Sequence, residues 1–390
     1  MKTYTYIIIG GGLAADAAVR GIRERDKEGS ICLISSENVE PYVRPNLTKG
    51  LWKGKEIKKI WCHTEDLGAT LILGRKVTHL YPDQKRLLDD QGDEYSYEKL
   101  LLATGGDPIK LKFGKSLIQY YRTLADYQKL RSLTDLKSSF LIIGGGFIGA
   151  ELAASLKQNS KNVTMVFPEE AIGEKVYPKG LALYLNDYYR DKGVRVVAKE
   201  TIVDVQQHGE HIVALSAKGE KFIADGVIAG IGIRPNITLA QEASIIISNG
   251  IDVDEYLQTS QKDIWAAGDV ANFYHNMLEK RVRLEHEDNA VAMGKVAGRN
   301  MAGALEAYTY TPMFYSDLFE LGYEAVGELD SRFEIVSDWS ELYKKGIIYY
   351  LDNNQIKGIL LWNVWDKVDD ARSLLERKRT YLKDTIKGLL

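Results

Sequence analysis

Two glycine-rich stretches, residues 10–15 and 144–149, are the parts of the chain best suited to bind a charged ligand. Each follows an apolar strand-like run, at residues 6–9 or 140–143, and each leads into an alanine-rich stretch of helical character. Glycine permits a tight turn and lets a pyrophosphate approach the backbone, while the helix N-terminus supplies free amide groups and a positive dipole. One such stretch alone could be only a tight turn. Two copies in the same context predict two dinucleotide-binding βαβ units.

An acidic residue follows the second strand of each unit. Glu37 follows residues 31–34, where its carboxylate is suited to bind ribose hydroxyl groups. Glu169 follows residues 163–167, and a carboxylate there favours the free 2′-hydroxyl of NAD over the 2′-phosphate of NADP. No arginine lies between positions 163 and 175. The pattern favours NADH, although Glu169 could instead be a solvated loop carboxylate.

The elements around these loops indicate an α/β fold. The alternation of apolar and turn residues predicts short strands or β-rich stretches at residues 70–78, 89–98, 194–228, 347–351 and 358–362. A charged amphipathic helix is predicted at residues 368–382. That helix, with Trp362 and Trp365 nearby, either packs on the core or forms a partner surface, and core packing is favoured.

Composition sets limits on the function. A chain of 390 residues predicts two or three domains, and a net charge of −3 gives no general attraction to nucleic acid. The apolar runs are strand-sized, so no membrane span is predicted. Two cysteines, Cys32 and Cys62, predict a reducing compartment, and the cytoplasm is expected. The six histidines form no metal-ligand pattern, so no metal site is predicted.

Five further segments make the chain resemble the two-dinucleotide-binding flavoproteins, especially apoptosis-inducing factor and the ferredoxin and rubredoxin reductases. They are residues 41–49, 101–106, 264–270, 284–290 and 313–327. The resemblance covers essentially the whole chain and implies that the first glycine loop binds FAD and the second binds NADH. It also implies that Asp269 bonds the ribityl chain of FAD and that Arg44 faces its pyrophosphate, where a guanidinium suits phosphate oxygens.

The resemblance further implies a charged pair beside the flavin. Lys49 would approach N5 of the isoalloxazine ring and pair with Glu151, since a cation near N5 favours the arrival of hydride. Lys49 could instead be a surface lysine, and Glu151 a first-turn carboxylate stabilised by the helix dipole. Tyr315 stands where family members usually carry Trp; its ring can still stack near nicotinamide or flavin, but it is smaller and carries a hydroxyl group, so the strength of an NAD–flavin charge-transfer stack does not follow from the resemblance. His286 would either touch the flavin or be a satisfied structural histidine.

The N-terminus of a small-residue helix, predicted at residues 291–301, would face the pyrimidine edge of the flavin. Lys175 would lie near the NAD ribose. The predicted catalytic residues are Lys49, Glu151 and Tyr315. The predicted cofactor-binding residues are Gly10, Gly12, Leu13, Ala14, Ala15, Glu37, Arg44, Lys49, Val77, Ala103, Thr104, Gly105, Gly144, Gly146, Phe147, Ile148, Gly149, Glu169, Lys175, Gly232, Gly268, Asp269, Glu285, His286, Phe314 and Tyr315.

The sequence therefore predicts two Rossmann-like domains, for FAD and NADH, and a C-terminal α+β domain. The expected domain limits are 1–110 and 245–308 for FAD, 111–244 for NADH and 309–390 for the C-terminal domain. No cysteine lies in residues 44–53, so disulfide reduction is not expected. Reduced flavin would pass electrons to a small redox protein, a quinone or oxygen, and a dioxygenase reductase component with a ferredoxin partner is one variant. The alternative is an NADH-responsive sensor resembling apoptosis-inducing factor. A monomer or a homodimer is expected.

Overall fold

Single helices separate groups of strands along the chain, and the computed structural model describes every residue from Met1 to Leu390. The α-helices are α1 Leu13–Arg25, α2 Leu124–Leu136, α3 Phe147–Gln158, α4 Lys179–Asp191, α5 Thr238–Glu242, α6 Glu287–Met301 and α7 Val368–Glu376. The strands from the first half are β1 Lys2–Ile9, β2 Ile31–Ser35, β3 Ala69–Leu73, β4 Val77–Tyr81, β5 Arg86–Asp89, β6 Glu94–Leu102, β7 Gly106–Pro108, β8 Ile118–Tyr120, β9 Ser139–Ile143, β10 Asn162–Val166 and β11 Arg195–Val197.

The remaining strands are β12 Ile202–His208, β13 His211–Ser216, β14 Lys221–Ala224, β15 Gly226–Ala229, β16 Ile233–Pro235, β17 Ile247–Ser248, β18 Gly250–Asp252, β19 Ile264–Ala266, β20 Ala271–His275, β21 Lys280–Val282, β22 Met313–Leu318, β23 Leu321–Gly327, β24 Glu334–Glu341, β25 Lys345–Asp352 and β26 Gln355–Trp362. None of the helices combines the length and the apolar character that a membrane crossing requires.

The chain divides into two compact units, and the α/β class predicted from the sequence is confirmed. Unit 1 comprises Met1–Arg44, Glu56–Asp107 and Arg234–Phe314. Unit 2 comprises Pro45–Lys55, Pro108–Ile233 and Tyr315–Leu390. The finer domain limits expected from the sequence stay a prediction.

The main sheet of unit 1 has the order β3-β2-β1-β6-β5-β4, with β19 paired to β6. Strands β1, β2, β3, β6 and β19 are parallel to their neighbours, whereas β5 joins antiparallel. Strands β2 and β19 and the carboxyl ends of β1 and β6 are apolar and buried, as expected for strands covered on both faces. The first glycine stretch leaves the carboxyl end of β1, beside the end of β6, where open α/β sheets bind their ligands.

Helix α1 packs on helix α6 at unusually close range in unit 1. Glycine makes this possible, because a Cβ atom added at Gly294 would lie 2.3 Å from the carbonyl oxygen of Ala14, and one at Gly298 would lie 2.1 Å from that of Ala18. Gly21 approaches the backbone of Lys295 in the same way. This packing fixes the N-termini of two helices within unit 1. The helix expected at residues 291–301 begins earlier, at Glu287.

Unit 2 contains a parallel sheet of order β11-β10-β9-β15-β8 and an antiparallel sheet of order β12-β13-β14. The second glycine stretch connects β9 to α3, so the predicted strand–turn–helix repeat is confirmed. A five-stranded sheet of order β22-β23-β26-β25-β24 is built from the C-terminal residues. Its strands include the two predicted at residues 347–351 and 358–362.

The predicted C-terminal helix is shorter than expected, because α7 ends at Glu376 instead of residue 382. The backbone turns at Lys378, whose φ angle is positive, and Thr380 then forms a bridge with Gln355. Trp362 is fully buried in the core, as favoured from the sequence, whereas the Trp365 side chain is 50% exposed.

The α1–α6 contact predicts that replacing a helical glycine with alanine lowers the free energy of unfolding instead of raising it. Helix propensity alone would make Gly298→Ala stabilising by about 1 kcal/mol. Because the new methyl group would overlap the Ala18 carbonyl oxygen, we expect the free energy of unfolding to fall by roughly 1–3 kcal/mol. Urea-induced unfolding of the variant and the wild type measures the difference. A stabilised Gly298→Ala variant would contradict the close approach.

His275 in β20 makes unfolding sensitive to acid. Burial lowers the pKa of His275 to about 4, so the folded protein holds the ring neutral while the unfolded chain, with a pKa of about 6.5, takes up a proton. Stability is therefore fully present above about pH 6.5 and is lost as the pH falls towards 4. Between pH 7 and pH 5 the loss from this one ring is about 2 kcal/mol. We expect His275→Phe to flatten the pH dependence by this amount in urea titrations at both pH values. An equally steep dependence would show that His275 is not responsible.

Candidate active site

The first glycine stretch leaves room in front of helix α1. A Cβ atom added at Gly10 would lie 2.1 Å from the carbonyl oxygen of Ala103, so only glycine lets the turn pass this close to the end of β6. A Cβ atom at Gly12, which caps α1, would meet nothing within 4 Å, and no side chain caps the helix. Ala14 and Ala15 are buried against the sheet. The amide groups of Leu13 and Ala14, which precede the first bonded amides of α1, are thus available to an anion.

Residues 103–105, which were also predicted to bind the cofactor, lie beside the first glycine stretch. Thr104 is anchored twice to Asn236: its hydroxyl donates to the Asn236 carbonyl oxygen at 2.8 Å, and the Asn236 amide donates to the Thr104 carbonyl oxygen at 3.1 Å. Gly105 has a φ angle of 61°, in the left-handed region that favours glycine. The segment is therefore held rigidly beside the Gly10 turn.

Arg44 and Glu37 are brought together in unit 1. Arg44 Nη2 lies 2.7 Å from Glu37 Oε1, and the Tyr42 hydroxyl donates to Glu37 Oε2 at 2.7 Å. Burial acts to lower the pKa of Arg44, but Tyr42, Glu37 and Asp269 outweigh it and raise the pKa, so the guanidinium stays charged. The sequence assigned the two side chains to different parts of FAD, and the structure shows them as one ion pair. Tyr42 was missed, because no sequence pattern marks a tyrosine as a partner of Glu37.

His286 caps helix α6 without a side-chain capping bond. Its ring centroid lies 4.3 Å from that of Phe314, and burial lowers the pKa of His286 to about 4, so the imidazole is neutral. His286 Nδ1 is buried and has no protein hydrogen-bond partner. A buried polar atom of this kind is rare unless a ligand or water satisfies it. His286 Nδ1 is therefore a candidate contact for a bound ligand, and the role of His286 stays a prediction.

Asp269 lies in the short 3₁₀ turn Gly268–Val270, after a glycine with a φ angle of 79°. Its carbonyl oxygen accepts a hydrogen bond from Arg283 Nη1 at 3.0 Å, and Arg283 Nη1 also lies 2.8 Å from Glu285 Oε1. The residues present in unit 1 therefore fit FAD: an open helix N-terminus for the pyrophosphate, a carboxylate beside it and an unsatisfied imidazole nitrogen.

The second glycine stretch has the same construction in unit 2. A Cβ atom at Gly144 would lie 2.3 Å from the carbonyl oxygen of Gly230, and one at Gly149 would lie 2.2 Å from that of Gly144. A Cβ atom at Gly146 would meet nothing within 4 Å, and the side chains of Phe147 and Ile148 at the start of α3 are exposed. This open helix N-terminus fits the pyrophosphate of a second dinucleotide.

The acidic residues that follow β10 are surrounded by lysines. Lys175 Nζ lies 3.1 Å from Glu169 Oε1, while Glu170 is paired with Lys199 at 2.6 Å and with Lys179 at 3.3 Å. Hydrogen bonds from Lys199 and Lys179 lower the pKa of Glu170. The sequence excluded an arginine here but missed Lys179 and Lys199, which lie outside the strand–loop segment. The carboxylates that follow β10 are therefore balanced by lysines, and their role at the ribose stays a prediction.

The predicted catalytic residues meet in unit 2. Lys49 Nζ lies 2.6 Å from Glu151 Oε1, and both side chains are enclosed, with 13% and 5% of their surface exposed. Lys49 Nζ also lies 5.0 Å from the ring centroid of Tyr315, within the range of a cation–π contact. Two hydroxyl groups that the sequence did not single out, those of Thr48 and Ser316, donate to the same carboxylate.

Two predicted residues, Val77 and Gly232, have evident roles in the fold. Val77 is buried in the core of unit 1 as part of β4. Gly232 follows β15 in unit 2 with a φ angle of 101°, which permits the turn into β16. Their roles as cofactor contacts stay predictions.

Neither cysteine is poised for thiolate chemistry. Cys32 lies in β2 and Cys62 in a half-buried loop, and both are free thiols. Burial raises the pKa of each thiol to about 12, so both stay protonated at neutral pH. A protonated thiol is a poor nucleophile.

Comparison with known proteins places these loops in a family. The pyridine nucleotide-disulphide oxidoreductase family matches residues 4–294, and the C-terminal region of the mitochondrion-associated apoptosis-inducing factor matches residues 297–342 and 337–377. The chain is similar to apoptosis-inducing factor 1 of Dictyostelium discoideum, with 35% identity over 425 residues that cover 97% of this chain and 80% of that protein.

A bacterial reductase and a solved structure are similar over nearly their whole length. The 3-phenylpropionate/cinnamic acid dioxygenase ferredoxin–NAD(+) reductase component of Photorhabdus laumondii is 31% identical over 384 residues, which cover 96% of this chain and 97% of that protein. A chain of the covalent putidaredoxin reductase–putidaredoxin complex superposes with a TM-score of 0.91 at 26% identity, covering 98% of this chain and 95% of that one. The chain therefore belongs to the pyridine nucleotide-disulphide oxidoreductase family and is an oxidoreductase that uses FAD and a nicotinamide dinucleotide.

Proposed function

We propose that the protein oxidises NADH and passes the electrons through FAD to a small redox protein, without a redox-active disulfide. The observation that carries the proposal is the enclosed Lys49–Glu151 pair. Glu151 is in the second turn of α3, the helix whose N-terminus follows the Gly144–Gly146 turn. Unit 2 therefore holds a cation that is fixed by a carboxylate of the same helix that would receive the pyrophosphate of NADH.

The residues have separate tasks in this scheme. When bound, the flavin accepts a hydride from the nicotinamide and passes electrons on to an acceptor. Lys49 supplies positive charge where negative charge arrives, and such a charge acts most strongly in a site shielded from water. Glu151 fixes the position of Lys49. Tyr315 contacts the Lys49 ammonium with its ring, so we propose that its first task is to confine this cation.

NADH is proposed as the preferred coenzyme because of the carboxylates that follow β10. Glu169 would bond the 2′-hydroxyl of the adenosine ribose and repel a 2′-phosphate. The lysines around Glu169 and Glu170 weaken this repulsion, since they balance the carboxylate charges. The preference is therefore expected to be moderate.

Similar proteins support a protein acceptor. The bacterial relative is named as the ferredoxin–NAD(+) reductase component of a dioxygenase, and the solved structure is a complex of a reductase with putidaredoxin. The raised pKa values of both thiols support transfer of electrons without a cysteine intermediate. We keep quinone and oxygen as the alternative acceptors. Residence in the cytoplasm stays a prediction.

A second candidate is an NADH-responsive binding protein. It is favoured by the match of residues 297–377 to the C-terminal region of apoptosis-inducing factor and by the 35% identity to the Dictyostelium protein. In such a protein a long-lived reduced state would change conformation or assembly instead of turning over.

The role of Lys49 is tested by the rate of flavin reduction. The holoprotein is mixed anaerobically with NADH in a stopped-flow instrument, and flavin bleaching is followed in the wild type and in Lys49→Met. Loss of the fixed cation is expected to lower the limiting rate about a hundredfold. Lys55→Met, an exposed lysine of the same loop, is the matched control and should bleach at the wild-type rate. An unchanged rate in Lys49→Met would remove this residue from the mechanism.

Admission of air to the reduced wild type then separates the two candidate functions. If the flavin is reoxidised rapidly by air, or rapidly when a ferredoxin-type protein is added, the reductase is supported. A reduced complex that persists in air, together with a change in sedimentation, supports the binding protein.

Coenzyme preference is expected to depend on Glu169. In Glu169→Gln the 2′-phosphate of NADPH would meet Lys175 without an opposing carboxylate. We expect the ratio of kcat/KM for NADPH to that for NADH to rise about tenfold, a size typical of one nearby charge. The exposed hairpin residue Glu210 provides the control, and Glu210→Gln should leave the ratio unchanged. If Glu169→Gln also leaves the ratio unchanged, the 2′ position is read by other residues.

A further inference from the structure

The Glu151 carboxylate accepts three short hydrogen bonds in the candidate active site. Its Oε1 atom accepts hydrogen bonds from Lys49 Nζ at 2.6 Å and from the Ser316 hydroxyl at 2.6 Å. Its Oε2 atom accepts one from the Thr48 hydroxyl at 2.6 Å. Hydrogen bonds to a charged group are shorter and stronger than neutral ones. Both carboxylate oxygens are therefore fixed, and with them the plane of the group.

The two hydroxyl groups are themselves out of water. Thr48 and Ser316 are buried, so neither can exchange its bond to Glu151 for a bond to solvent. The Thr48 carbonyl oxygen accepts a further hydrogen bond of 2.6 Å from the Ser155 hydroxyl, one helical turn after Glu151. Helix α3 thus binds residue 48 twice, through Glu151 and through Ser155. This arrangement fixes the chain immediately before Lys49.

Ser316 belongs to a different part of unit 2. It lies in β22, next to Tyr315, whose ring contacts Lys49. Adjacent residues of one strand therefore contact both members of the ion pair, one through a hydroxyl group and one through a ring. Lys49 alone would leave the carboxylate free to rotate about its last bond, because one donor on one oxygen does not define a plane.

We infer that Ser316 and Thr48 are positioning residues, whose hydroxyl groups hold the Glu151 carboxylate in the orientation that fixes the Lys49 ammonium. The inference rests on the proposed role of Lys49 in hydride transfer. Removing either hydroxyl leaves a buried carboxylate oxygen with one partner fewer, which is costly in a site shielded from water. The carboxylate then turns towards its remaining donors, and the ammonium moves with it.

The test compares Ser316→Ala and Thr48→Val with Thr48→Ser, which keeps a hydroxyl group at position 48. In the first two variants we expect the limiting rate of anaerobic flavin reduction by NADH to fall about tenfold while the dissociation constant for NADH stays within about twofold. The flavin midpoint potential should become more negative by about 30 mV, which corresponds to a tenfold change in the equilibrium constant of a two-electron couple. Thr48→Ser should restore both values. Ser340→Ala, in the same sheet as Ser316, is the control and should behave as wild type.

A crystal structure of each variant adds a readout that does not depend on flavin chemistry. A rotated Glu151 carboxylate or a longer Lys49–Glu151 contact supports the inference, and wild-type geometry with wild-type potential in both variants overturns it. Should Ser316→Ala fail to fold, the comparison of Thr48→Val with Thr48→Ser decides. If Lys49→Met leaves flavin reduction unchanged but Glu151 still rotates in the hydroxyl variants, the proposed function fails while the positioning role stands.

Discussion

Close contact between backbones, which only glycine allows, is the constraint on which both nucleotide loops depend. In each loop the first glycine lies against a carbonyl oxygen at the end of a neighbouring parallel strand, Ala103 for Gly10 and Gly230 for Gly144. A side chain at either glycine would overlap that carbonyl oxygen, so the turn could not pass this close to the neighbouring strand. The two helix N-termini are open to anions because these two turns are tight. Charged residues such as Lys49 and Glu169 can act on a dinucleotide only when its pyrophosphate is held at such a helix N-terminus.

Features formed by neighbouring residues were predictable from the sequence, whereas contacts between residues far apart in the chain were not. The glycine repeat and its strands were predictable because strand, turn and helix are adjacent in the chain. The Lys49–Glu151 pair, 102 positions apart, was reached only through resemblance to a family. Ser316 is 165 positions from Glu151, and nothing in a single serine indicates such a partner. The sequence-based start of α6, at residue 291, was four residues late. The acidic residues Glu287 and Asp288, which are typical of a first helical turn, could have indicated the true start.

The carboxylates that follow β10 and the Glu151 carboxylate are neutralised in different ways. After β10, half-buried carboxylates are paired in a cluster with exposed lysines, so solvent screens each pair and each contributes little to stability. At Glu151 the charge is enclosed, and its partners include neutral hydroxyl groups as well as an ammonium. The first arrangement suits selection between similar ligands, whereas the second suits a charge that must stay in one place.

The packing of α1 on α6 also has a consequence for biosynthesis. The two helices are neighbours in unit 1 but are separated in the chain by most of unit 2, so α1 leaves the ribosome long before α6 exists. During that interval the small-residue face of α1, with Ala14, Ala18 and Gly21, lacks its partner. Contacts between distant segments slow folding and leave apolar surface uncovered. Unit 1 is therefore completed late in synthesis, because α1 can pack on α6 only after residue 301 has been added.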